Sequence, residues 1–389
     1  MPPILALTPF VRATVTNFFF GCGVNGFVLL PLYIQQLGGT EIEIGLVMGL
    51  YSAVGIVCQT LIGPWIDVIG RRPFMLAGVA LALLAALLAT LPGGVPLLAL
   101  VRALQGVGFS MFFVASFSYV VDLTPPARRG WALGIYGVSG FVATAFAPLL
   151  GEWIIRTAGF RALFALSATM AAVTGSLVWP LREAAHDRAL PLRLAPGAVR
   201  AAMEDLLHLH MLVTTFFGLG SGTIFAFLPT FAEDLGVRTL SLFYTAYALA
   251  AIAVRVTGGR LIDTRGRRAV IVPSMFVQAL STALLAAVGL LVLRTSATPV
   301  LPSLFVAGLL SGGAHGFLYP GLAALVTDTT PPERRAAVVG LFSAMFLTGQ
   351  AAGAFAFGYV AHALGYGAMW AALTLLLALG GVLSMRLSR

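Results

Sequence analysis

Twelve predominantly apolar stretches alternate with short polar breaks along almost the whole chain. A helix that crosses a bilayer needs about 20 such residues. Hydropathy and the Gly, Pro and Arg punctuation place spans at 10–34, 43–65, 74–91, 97–121, 131–155 and 161–181. A second set follows at 208–231, 239–262, 269–293, 301–326, 336–361 and 367–386. The longest polar stretch, 182–207, holds Arg182, Glu183, Asp187, Arg188, Arg193, Arg200, Glu204 and Asp205 and reads as a linker. The pattern predicts an all-α membrane protein of twelve transmembrane helices. It has an N-terminal six-helix bundle over 1–181, a cytoplasmic linker over 182–207 and a C-terminal six-helix bundle over 208–389.

Composition narrows the class further. Of 389 residues, 59% are hydrophobic and 10% charged, too few charges to cover the surface of a water-soluble domain. The net charge of +9 comes entirely with arginine and sits mostly in short loops, which is a topology signal and not a nucleic-acid stripe. Alternate loops on one side carry 15 arginines and those on the other carry 4. This asymmetry places both termini and the linker in the cytoplasm and predicts an inner (plasma) membrane protein of bacterial type. The run Phe10 to Tyr33 is too long for a signal-peptide apolar region and is kept as the first span. Cys22 and Cys58 fall inside spans and are expected to pack as small apolar residues.

The halves repeat. Gly63-Pro-Trp-Ile-Asp67-Val-Ile-Gly70-Arg71-Arg72 returns 196 residues later as Gly259-Arg-Leu-Ile-Asp263-Thr-Arg-Gly266-Arg267-Arg268. Asp122-Leu-Thr-Pro-Pro-Ala-Arg128-Arg129 returns after 206 residues as Asp328-Thr-Thr-Pro-Pro-Glu-Arg334-Arg335. Leu30-Pro31 matches Leu228-Pro229. Ordered matches at nearly constant offset mark a duplication, about an axis along the membrane normal because each half has an even span count.

These residues resemble the loop signature G-x-L-a-D-r-x-G-r-k of the major facilitator superfamily, with Trp65 and Val68 departing from it in the first copy. The resemblance covers essentially the whole chain and implies that family's fold of two pseudo-symmetric bundles. It also implies that Asp67 and Asp263 sit near a helix N-terminus of the opposite half, where the dipole favours a carboxylate. Gly63 and Gly259 allow close helix approach, and Gly70 and Gly266 supply backbone freedom for the tight turn. Asp122 and Asp328, with their following arginine pairs, read as a second ring of the same cytoplasmic latch. For any single arginine, setting topology is a sufficient role.

Span four carries Leu98-x-x-x-Arg102-x-x-Gln105-Gly106-x-Gly108, similar to a pattern of proton-coupled members. An arginine inside a span needs a partner or a wet cavity, although Arg102 is also near enough to the span end to snorkel. Span five, with Gly134, Ala143, Ala147, Pro148, Gly151 and Glu152, resembles the antiporter signature G-x8-G-x3-G-P-x2-G-G. Arg102 and Glu152 fall at similar depth, about 5–7 Å below the same boundary, where pairing would lower their cost. The alternative is two interfacial residues that face headgroups independently. The family lines its cavity with spans one, four, seven and ten, which makes Asn25, Arg102, Thr223 and His315 candidates. Arg255, two turns from Asp263, reads as structural and paired near the cytoplasmic end.

The expectation is a secondary active transporter working by alternating access, exporting small organic molecules by proton antiport. A uniporter or symporter for a sugar or organic acid is the alternative, and a non-transporting sensor or scaffold is the alternative of another class. An enzyme would want paired carboxylates or a His/Asp/Cys cluster at membrane depth, and five scattered His and two Cys do not supply one. Small-molecule substrate, protons and lipid are the expected partners of a monomer, with no nucleic acid, cofactor or metal.

Overall fold

The computed structural model describes residues 8–125, 128–183, 208–237, 239–292, 300–328 and 335–387. The side chains of a few helical positions, Asp67 and Asp263 among them, fall outside that description. Apart from short turns the described residues are helical, with no strand among them. Helix α1 is Pro9–Asn25, followed by a 3-10 turn Gly26–Leu29 and α2, Leu30–Gln36. Then come α3 (Glu41–Ile69), α4 (Arg71–Ala89), α5 (Val95–Leu123) and α6 (Arg129–Val178). The second half holds α7 (Leu209–Asp234), α8 (Ser241–Arg265), α9 (Arg267–Val292), α10 (Val300–Asp328) and α11 (Arg335–Ser384).

Local chemistry sets these ends. The Thr8 hydroxyl accepts from the Val11 amide at the start of α1, where Pro9 needs no partner for its nitrogen. Thr40 and Glu43 form a reciprocal capping box on α3. The Glu43 carboxylate takes the Thr40 amide at 2.8 Å, and the Thr40 hydroxyl takes the Glu43 amide at 3.3 Å.

Ten helices among the described residues are long and apolar enough to cross a membrane. Two of them, α6 and α11, have 50 residues each, about 75 Å of rise against a hydrocarbon core of about 30 Å. Each is broken at a glycine. Gly159 (φ 79°, ψ 177°) and Gly365 (φ 79°, ψ 167°) take a backbone conformation that side chains oppose, so each long element is two rods meeting at one residue.

The chain packs as two compact units. Residues 1–27 and 57–193 form the first, and residues 28–56 with 194–389 form the second. The hairpin of the 3-10 turn, α2 and the first half of α3 thus packs within the second unit. Its glycines supply the reason. Gly45 lies with its Cβ position 3.3 Å from the Gly358 Cα, and Gly49 stands against the Phe355 ring.

Within the first unit, Phe20 stacks on Phe112 with centroids 3.8 Å apart, in a core with Met75, Tyr119 and Tyr136. Helices α4 and α5 approach until a Cβ on Gly78 would stand 2.5 Å from the Gly108 carbonyl oxygen. Two backbones this close gain dispersion contacts that bulkier residues would forbid. The second unit centres on Phe217, Met275, Leu318, Leu322 and Phe342. There a Cβ on Gly353 of α11 would meet the Thr223 hydroxyl of α7 at 2.7 Å.

Candidate functional site

Polar groups are rare in these helices, and in the second unit they converge. His315 of α10 is surrounded by the rings of Phe217, Tyr247, Tyr319 and Phe346, with centroids 5.1–6.2 Å away. It borders a narrow cleft with Ser221, Ile224 and Phe225 of α7, Tyr247 of α8, Gln278 of α9 and Ser311 of α10. The Gln278 amide donates to the Phe217 carbonyl at 3.3 Å. Gln350 donates to Ser221 at 3.4 Å and accepts from Ser52 at 3.1 Å, so the network reaches the 28–56 hairpin. Arg255 acts electrostatically on Tyr247, His315 and Tyr319. Its guanidinium is thus near this cluster, while the Asp263 side chain with which it was expected to pair lies outside the described residues. Aromatic faces, an imidazole and amides line this cleft, which in the conformation seen here is closed and has no room for a molecule the size of water.

Thr223 does not border the cleft. It is fully buried, its hydroxyl donates to the Leu219 carbonyl at 2.8 Å, and it packs on Gly353.

The first unit holds the remaining candidates. Arg102 of α5 is buried and donates to the Gln105 side-chain oxygen at 3.1 Å, one turn along its own helix. Glu152 is bonded by Arg156, again one turn along its own helix. An i,i+4 ion pair of this kind shields a carboxylate that the apolar surroundings would otherwise penalise. Asn25 spends its amide on the Gly21 carbonyl of its own helix at 2.9 Å. Asn17 is the residue that reaches out of α1, donating to Tyr136 O at 3.1 Å and Ser139 Oγ at 2.8 Å of α6. Gly134 has nothing within 4 Å of its Cβ position, whereas Ala143 is the packing surface for Gly21 at 2.8 Å. No group of three or more His, Cys, Asp and Glu among the described residues is placed to hold a metal ion.

The repeated loops form matching clasps. In the first unit Arg71 Nε donates to Asp122 at 3.0 Å and Nη1 to the Ile66 carbonyl at 3.0 Å. In the second unit Arg267 Nε donates to Asp328 at 3.0 Å and Nη1 to the Ile262 carbonyl at 2.9 Å. The turns are alike, with Gly70 at φ 116° and Gly266 at φ 85°. The first clasp has a further member. Glu183 accepts the backbone N–H groups of Arg71 and Arg72 at the start of α4. Arg72 meanwhile donates to the Trp179 carbonyl at 2.6 Å and stacks over that indole. Arg128 caps α6, and Arg129 reaches the Thr124 carbonyl at 3.4 Å. Arg334 and the Arg335 side chain lie outside the described residues.

A profile of the Major Facilitator Superfamily matches the chain twice, over residues 13–237 and 210–389, one match for each copy of the clasp. The chain belongs to the Major Facilitator Superfamily.

Relatives within the superfamily agree over the full length. The multi-drug resistance efflux pump PmrA of Streptococcus pneumoniae is 25% identical over 379 residues, 93% of this chain and 91% of its own. The staphylopine export protein of Staphylococcus aureus is 24% identical over 380 residues, 92% of this chain and 90% of its own. Among solved structures, the nucleoside transporter NupG superposes with a TM-score of 0.82 at 14% identity, covering 97% of this chain and 99% of that one. The human organic anion transporter MFSD10 gives 0.70 at 18% identity, covering 99% of this chain and 100% of that one. At these identities the structural likeness is one of superfamily fold.

Three residues were not singled out as functional from the sequence. Glu183 lies in what reads as linker, Asn17 as an isolated span polar residue, and Arg255 as a charge near a loop. Only Arg255 had a usable signal, since an arginine eight residues inside a span from Asp263 is deeper than topology requires.

Proposed function

We propose that this superfamily transporter is a secondary active exporter of small organic molecules, driven by proton antiport and working by alternating access. Twelve crossings are supported by the ten apolar helices among the described residues, two of them long and broken at a glycine. The observation that carries the reading is the duplicated clasp. Each unit ties the start of its third helix to the end of its fourth by the same arginine–aspartate bond, so each can tilt as one body with its arginine-rich end held together. The arginine asymmetry supports an orientation with that end, both termini and the linker on the cytoplasmic side. Export is supported by the names of the full-length relatives, which are efflux and export proteins. His315 and Arg255 with the surrounding tyrosines are the substrate-facing groups. Arg102, Gln105 and Glu152 form the ionic element of the other unit, and Asn25 and Thr223 complete the span faces beside them.

The test is transport by purified protein in liposomes, with ethidium, a neutral dye and fluorescein offered in turn under an imposed pH gradient. At least one probe accumulates against its gradient on the acidic side, and nigericin abolishes the accumulation. Probe movement that ignores the gradient removes proton drive and leaves a uniporter. Glu152→Gln and His315→Gln then separate the candidates: the one that carries the proton loses gradient dependence while retaining downhill exchange.

A further inference from the structure

Helix α8 carries the chain from Ser241 to the Gly266 turn, so the ends of α7 and of the 28–56 hairpin lie at the opposite end of the second unit from its clasp. There Glu41, the first residue of α3, meets His362 Nδ1 of α11 at 2.9 Å, a contact that becomes an ion pair when the imidazole is protonated. Gln35 of α2 donates to Asp234, the last residue of α7, at 3.2 Å. Tyr366 donates to Thr230 at 2.7 Å between them. His362 and Tyr366 stand on either side of the Gly365 break. Between this end and the Ser52–Gln350 bond, α3 and α11 touch through Gly45, Gly49, Gly358 and Phe355. A flush seam of glycines has polar fasteners at both ends.

The fastener at the α7 end is charged, and its charges do not balance. Asp234 lies within electrostatic reach of Glu41 and Glu233 within reach of Asp234, and Tyr366 is near both Glu41 and Asp234. Glu43 is committed to the capping box. Glu233 and Asp234 close a helix C-terminus, where the dipole adds further negative potential. Against these carboxylates the described side chains of the cluster supply one basic group, His362. It and Glu41 are reachable by water, with side-chain exposures of 49% and 32%.

We propose that Glu41, Asp234 and His362 form a proton-binding site that fastens the 28–56 hairpin to α7 and α11. This rests on the proton-driven reading above and gives it a point of entry. With the imidazole neutral, the Glu41 carboxylate faces Asp234 with no compensating cation among the described side chains of the joint. A proton taken from water onto His362 makes an imidazolium–carboxylate pair and draws the seam shut. Protonation of Asp234 acts in the same direction, because Gln35 can turn its amide to accept instead of donate. The side chain best suited to such a change near neutral pH is histidine. Acid at this end therefore closes the joint, and its release follows loss of the proton.

Spin labels at the exposed positions Leu37 and Leu364 read the joint without touching its members. In lipid nanodiscs without a gradient, the short-distance population should dominate at about pH 5.5. Its ratio to the long one should fall about fivefold by about pH 8, the scale of a partly exposed ion pair. His362→Gln and, independently, Glu41→Gln should each flatten that response, and Asp234→Asn should raise the short population at the alkaline end. A wild-type distance that does not move with pH overturns the proposal, as does a response that survives both His362→Gln and Glu41→Gln. If the joint responds to pH while transport in liposomes ignores the gradient, the exporter reading falls and the proton site stands.

Discussion

The two clasps share their arginine bonds and their glycine turn and differ in how far water reaches them. In the first unit the Arg71 side chain is 9% exposed and Asp122 24%, whereas Arg267 and Asp328 are 25% and 55% exposed. Water and salt screen the second pair far more than the first. The first clasp also has Glu183 across two backbone N–H groups at a helix start, where dipole and hydrogen bonding both favour a carboxylate. The position 206 residues later, the offset of Asp122 and Asp328, holds Arg389. Duplication thus preserved the motif and not its strength. One unit has a firm clasp at its arginine-rich end, and the other has a clasp more open to water.

Four substitutions or conditions sharpen that contrast. Arg71→Ala strands Asp122 and empties the Ile66 carbonyl, and should cost about 2–3 kcal/mol, read as a fall in thermal midpoint in detergent. Glu183→Gln keeps shape and removes charge, so a loss of about 1–2 kcal/mol is expected, with Arg389→Ala as the silent counterpart. Arg267→Ala should cost about 0.5–1 kcal/mol, visible as faster hydrogen exchange around Gly266 and not as a shifted midpoint. Equal losses from Arg71→Ala and Arg267→Ala would end the comparison. The smallest effect is ionic: raising salt from about 0.05 to 0.5 M should speed exchange at the Arg267 turn and leave the Arg71 turn unchanged.

The duplication made the clasps visible in sequence, because Gly70, Arg71 and Asp122 each return at their offset. What it hid was the partner. Asp122 reads naturally with Arg128 and Arg129 a few residues on, yet its bond is to Arg71, brought over by the close crossing of α4 and α5 at Gly78 and Gly108. That crossing is a property of two surfaces, and no local pattern encodes it. Glu183 was hidden for the same reason, since its two amide donors lie more than 110 residues away in the chain. Hydropathy gave the depth of each span residue but not its azimuth. Arg102 and Glu152 illustrate this: their similar depth was legible, while the turn-to-turn bonds to Gln105 and Arg156 depend on which way each side chain points.

The glycine breaks carry a consequence for how the protein is made. Gly159 and Gly365 are 206 residues apart, and each joins two rods with no loop to spare. The ribosome therefore delivers each pair to the membrane as a ready hairpin, the second rod emerging while the first is still at the insertion site. In α6 the Glu152–Arg156 pair lies just ahead of that turn, so carboxylate and guanidinium can neutralise each other before either meets hydrocarbon. A stretch of even a few polar residues inserted after Gly159 would separate the two deliveries, and failed membrane integration would be its first symptom.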